Sequence, residues 1–121
     1  MKDSNDNLIV IKTKAFALRC IRLYKYLIEE KNEYVMSRQM LKSGTSIGAN
    51  IKEAIRAQSK ADFIAKMNIS LKEASETEYW IELLRDSEYV SRNRITNLLN
   101  ECVEIIKIIT SIIKNSSENK Q

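Results

Sequence analysis

Residues 43–50 read SGTSIGAN and hold both glycines of the 121-residue chain, Gly44 and Gly48. The stretch is either a loop or a helix that tolerates glycine for a reason. Each glycine in a helix interior costs about 1 kcal/mol relative to alanine. A phosphate-cradling loop would need a third glycine or a following Gly-Lys-Ser/Thr, and the sequence supplies neither. Met40, Gly44, Ile47, Gly48, Ile51, Ala54 and Ile55 instead recur at helical spacing straight through the stretch. SGTSIGAN is therefore helix interior. Its glycines stand four apart on the core side, where missing side chains let a neighbouring helix approach closely.

Working outward, this helix is expected over residues 38–58, with Ser37 as its N-cap. Before it, Ile9, Phe16, Cys20, Leu23, Tyr24 and Leu27 line one face of a helix expected over 8–31. After it, SKAD reads as a capping box, with Ser59 as cap and Asp62 reaching back. The helix it opens is expected over 61–87, with Phe63, Ile64, Met67, Leu71, Ala74 and Ile81 inward. Ser91 caps a fourth, over 92–114, whose stripe runs from Ile95 through Cys102 to Ile113. The tail, 115–121, is polar and expected to fray. Proline is absent, which suits long helices. Four similar helices with short connections predict one domain, an all-α antiparallel up-down-up-down four-helix bundle.

Composition excludes several chemistries. With no histidine there is no Ser-His-Asp triad, no Cys-His pair and no histidine-ligated zinc site. Cys20 and Cys102 fall on apolar stripes and read as buried core thiols. No apolar run spans a bilayer, and MKDSNDN is too polar for a signal peptide, so a cytoplasmic protein without membrane association is expected. The net charge of +4 is uneven: residues 1–60 carry twelve Lys/Arg against six Asp/Glu, and residues 61–121 carry eight against ten.

Three groups of residues are candidates for function. Arg38, Lys42, Lys52 and Arg56 on the second helix, with Arg19, Arg22 and Lys25 on the first, could contact the phosphates of RNA or DNA. The alternative for them is a solvated surface. Ile11, Ala15 and Leu18 lie opposite the core stripe of the first helix, and Ile69, Trp80 and Leu83 opposite that of the third. Such ridges suit self-association, because aromatic anchors concentrate at interfaces. Ser43, Ser46, Asn50 and Glu53 form a ridge flanking the second stripe, and Glu78 is placed on the third. They are expected to form a buried polar network fixing register. A catalytic or metal-binding carboxylate set of Glu53, Glu73, Glu76 and Glu78 is the competing reading, and a tight bundle offers it no evident cleft.

SRQMLKSGTSIGANIKEA followed by QSKADFIAKMNISLKEASETEYWIELL resembles the bacterial four-helix-bundle family that includes proteins encoded in intervening sequences of 23S ribosomal RNA genes. The matching signature is Ser46, Ile47, Asn50, Ile51 and Glu53. A second block has Phe63, Lys66, Glu73, Ala74, Glu76, Tyr79 and Trp80. The resemblance implies a ring-shaped homopentamer of four-helix bundles. The accessory variability protein of diversity-generating retroelements, a relative within this resemblance, forms a basic barrel that binds nucleic acid and a reverse transcriptase. Together these readings predict a non-enzymatic oligomer without cofactor. It would hold RNA or structured DNA non-specifically, or serve instead as a protein-interaction scaffold.

Overall fold

A computed structural model describes residues 4–118, with side chains from residue 7 onward. Among the described residues there are four helices and no strand: α1 Ser4–Glu30, α2 Met36–Ile55, α3 Lys60–Asp86 and α4 Arg92–Glu118. Neighbours in the chain pack together and α1 also meets α4, whereas the backbones of the diagonal pairs α1/α3 and α2/α4 stay apart among the described residues. This is the expected up-down-up-down bundle.

Four boundaries differ from expectation by two residues or more: α1 begins at Ser4 rather than residue 8, α2 runs Met36–Ile55 rather than 38–58, and α4 continues to Glu118 rather than 114. The start of α2 and the end of α4 have identifiable reasons. Ser37 is not the N-cap of α2, because the helix already begins at Met36. Glu33 does the capping: its carboxylate accepts from the backbone N–H groups of Val35, Met36 and Ser37 at 3.1, 2.9 and 2.7 Å. The Ser37 hydroxyl donates instead to the Glu33 carbonyl at 2.8 Å. The expected frayed tail is helical through Glu118, because Ile112 and Ile113 still pack on the core and carry the helix past residue 114. Residues 119–121 lie outside the described part.

Ser59 caps α3 as expected, its extended backbone letting the hydroxyl accept from the Asp62 N–H at 3.0 Å. Ser91 precedes α4, and its carbonyl accepts from the N–H groups of Arg94 and Ile95, both at 3.1 Å. At the end of α3, Glu88 takes a left-handed conformation, φ 67°, while the Tyr89 N–H reaches the Leu84 carbonyl and the Glu88 N–H that of Arg85. That pattern closes a helix end by satisfying carbonyls that would otherwise lack donors.

The core runs the length of the bundle: Ile9, Phe16, Cys20 and Leu27 from α1, Met40, Ile47 and Ile51 from α2, Met67, Ala74, Ile81 and Leu84 from α3, and Ile95, Cys102, Ile105 and Ile109 from α4. Both glycines face α1. A Cβ on Gly44 would lie 2.6 Å from the Cys20 sulfur, and one on Gly48 would lie 3.2 Å from the Thr13 hydroxyl oxygen. The two helices therefore meet more closely than any side chain at position 44 would allow. This contact offsets the helix-propensity cost of glycine.

Candidate functional site

Lysine and arginine side chains on α2 fall on one outward row. At about 100° per residue, Arg38, Lys42, Lys52 and Arg56 stay within an arc of roughly 80° and span about 27 Å along the axis. All four are exposed, and no carboxylate lies within ion-pair distance of any of them among the described residues. Lys52 also joins Lys14 of α1 at a groove of about 280 Å³ between α1 and α2, floored by Val10, Ala17, Gly48 and Ala49. Sequence reasoning missed Lys14. Its position one turn from Val10 and Ala17, beside the glycine-bearing helix, was the available signal.

Arg19 and Arg22 form a separate patch on the side of α1 toward α4; Lys25, about 120° round the helix from Arg19, does not join it. Arg19 pairs with Glu101 at 2.9 Å, while Arg22 and Lys25 are exposed. Six of the seven basic residues thus make two surfaces, one on each side of α1, and Lys25 is exposed on the outer face between them. Arg94, unflagged by its position in the sequence, belongs to the second. Its guanidinium lies 4.4 Å from the centre of the Tyr26 ring.

The apolar ridges are unequal. On α1, Ile11 is 67% exposed and Leu18 47%, with Ala15 exposed between them and Leu8 extending the row. On α3, Ile69 is 42% exposed, but Trp80 and Leu83 are half-buried. Trp80 packs on the core, meets Tyr79 edge-on at 5.2 Å and donates its indole N–H to the Glu76 carboxylate at 3.0 Å. Tyr79 is the more exposed aromatic. Since α1 and α3 are diagonal, the two ridges point away from each other.

Of the expected polar residues, Ser43 makes a buried contact between helices and Glu53 an exposed one, while Ser46, Asn50 and Glu78 make none among the described residues. The Thr77 and Ser43 hydroxyls bond to each other at 2.7 Å, with the Thr77 hydroxyl also 2.7 Å from the Glu73 carbonyl, and Ser70 donates to the Ile47 carbonyl at 2.8 Å. Ser46 and Asn50 spend their donors on their own helix, on the carbonyls of Lys42 and Ser46. Glu53 reaches α3 through an exposed pair with Lys66 at 3.0 Å. Glu78 is half-buried beside the true stripe of Met67, Ser70, Ala74, Thr77, Ile81 and Leu84. A charged side chain one position from Thr77 turns toward the rim, which avoids burying its charge, while the small hydroxyl takes the interior position. Among the described residues, no buried side-chain nitrogen or oxygen lacks a partner.

Burial pushes the Cys20 thiol up to about 12, against a smaller pull from Arg19, and burial raises Cys102 as well. Both therefore stay protonated at neutral pH, and thiolate chemistry is unavailable to them. Burial alone would raise the Glu33 carboxyl, but its backbone donors at Met36, Ser37 and Val35 hold it below the ordinary value. Among the described residues no cluster of three or more His, Cys, Asp or Glu could hold a metal, and no helix is long and apolar enough to cross a membrane.

Comparison with known proteins adds two findings. The family model described as 23S rRNA-intervening sequence protein matches residues 5–111. A crystal structure at 1.70 Å resolution of a protein of unknown function from the S23 ribosomal protein family of Bacteroides thetaiotaomicron VPI-5482 is 55% identical. The match covers 91% of this chain and 98% of that one, with a TM-score of 0.89. No curated protein matches.

Proposed function

The chain belongs to the family of 23S rRNA-intervening sequence proteins, and from that premise we propose that it is a non-enzymatic, cytoplasmic homo-oligomer that holds RNA or structured DNA by phosphate contacts. One observation carries the reading: the row of Arg38, Lys42, Lys52 and Arg56, exposed and without carboxylate partners among the described residues. Unpaired cations at these intervals attract a polyanion irrespective of its bases.

The two ridges on diagonal helices support the assembly. A patch on α1 and a different patch on the far side, on α3, suit a head-to-tail contact, which closes into a ring when the rotation allows. The homopentamer implied by the family resemblance is the proposed form. A ring multiplies the α2 row and strengthens weak contacts through avidity.

A second reading, a scaffold for a protein partner, is favoured by the α3 ridge, where exposed Tyr79 stands beside Trp80 and Glu76. The test is binding of a structured RNA, measured with light scattering, between about 50 and 200 mM salt. With four phosphate contacts per chain, affinity falls on the order of 100-fold over that range. Reversing the charges of Arg38, Lys42, Lys52 and Arg56 abolishes binding and leaves the oligomer intact. Salt-independent binding, or binding that survives the reversal, sinks the proposal and leaves the scaffold reading ahead.

A further inference from the structure

A second cavity, of about 230 Å³, opens between α1 and the start of α4. Three arginines line it, Arg19 and Arg22 from α1 and Arg94 from α4, over an apolar floor that includes Leu23, Val90 and Leu98. None of its lining residues is acidic. Like charges gathered at a concave surface repel one another, and low-dielectric walls strengthen that repulsion.

The surroundings make the excess charge specific. Arg19 is partly neutralised by Glu101 at 2.9 Å, while Arg22 and Arg94 have no carboxylate partner among the described residues. Three guanidinium charges against one paired carboxylate leave an excess of two positive charges. The first turn of α4 contains no acidic residue and carries Arg92 and Arg94. Helix N-termini favour negative charge, so these cations oppose the dipole until an anion offsets them. Arg94 is also held in place, 4.4 Å from the centre of the Tyr26 ring.

We propose that this α1/α4 cavity is a binding site for a phosphate group, held by Arg19, Arg22 and Arg94. A tetrahedral dianion matches the excess charge, and guanidinium groups pair with phosphate oxygens through two parallel N–H donors. A carboxylate would satisfy only one arginine, as Glu101 does. The cavity is smaller than the roughly 300 Å³ at which sites for drug-sized ligands begin, so it takes the phosphate and a short apolar flank. The site lies on the opposite side of α1 from the α2 row, so it goes beyond the strand-binding reading and stands or falls separately from it.

The test is calorimetric titration of the full chain with inorganic phosphate at low ionic strength. The expected result is saturable binding of one phosphate per chain. Arg22→Gln and Arg94→Gln each weaken it at least tenfold, and Lys72→Gln on exposed α3 changes it less than twofold. Circular dichroism checks that each variant remains folded. Absence of saturable binding overturns the site, as does binding by both arginine variants within twofold of the parent. A second arm compares one oligonucleotide with and without a 5′-phosphate, each in competition with free phosphate. Tighter binding of the phosphorylated strand, relieved by free phosphate, supports the site and makes a strand end the source. Saturable binding of free phosphate with no difference between the strands supports it and makes a small phosphate the source.

Discussion

The seams that α2 forms and the seam between α1 and α4 are built differently. Along α2, glycines bring α1 close, and α3 is tied on by buried hydrogen bonds of Ser70 and Thr77. Between α1 and α4 the side-chain polar ties are partly exposed ion pairs, Lys12–Glu104 at 2.8 Å and Arg19–Glu101 at 2.9 Å, of the kind that Glu53–Lys66 adds to the buried bonds between α2 and α3. Buried groups with a single allowed arrangement specify register. Exposed pairs contribute little and leave room for a ligand. The buried contacts fix how α2 sits against its neighbours, whereas the polar ties between α1 and α4 are charges that salt can screen.

The sharpest way to break this contrast is Gly44→Val. Its side chain has no room beside Cys20, so stability falls by about 3 kcal/mol, read as a lower midpoint in urea. Pairing the change with Cys20→Ala recovers part of the loss, and no recovery would mean that the crowding lies elsewhere. Thr77→Val comes next, at about 1–2 kcal/mol, because the Ser43 hydroxyl loses its buried partner. Adding Ser43→Ala removes the orphan and restores most of the stability, which a double-mutant cycle measures.

The connection that feeds α2 into its seam depends on Glu33. Glu33→Ala costs about 1 kcal/mol through the lost cap. The folded carboxyl titrates below its ordinary value of 4.5, so its contribution is fully present above that pH. It is lost as pH falls through the folded value. Thermal melts of the parent and of Glu33→Gln therefore converge on acidification below about pH 4.5 and differ at neutral pH. The smallest effect belongs to the looser seam: Lys12→Met changes stability by about 0.5 kcal/mol or less, and salt removes most of that. A loss approaching that of Thr77→Val would erase the distinction between the seams.

Much of the architecture was legible because apolar residues repeat at 3.6-residue intervals and no proline interrupts them. The phase of Met40, Gly44, Ile47 and Ile51 identifies SGTSIGAN as helix, and Ser59 announces the start of α3. Glu33 was hidden because its capping role depends on a loop that folds back through the left-handed Asn32, which no spacing rule encodes. The polar network was partly misassigned for a related reason. Choosing between Thr77 and Glu78 needs the rotation of α3 against α2 to within one residue, and periodicity alone leaves that rotation loose.

The sequence by itself determined the four helices, their antiparallel order and the inward placement of both glycines, because these follow from local periodicity and short connections. Only the tertiary structure decided that six of the seven basic residues divide into two surfaces, and that Arg94 of α4 joins Arg19 and Arg22 of α1. Such convergence depends on the angle and depth at which helices distant in the chain pack, and packing sets that geometry without a local signal.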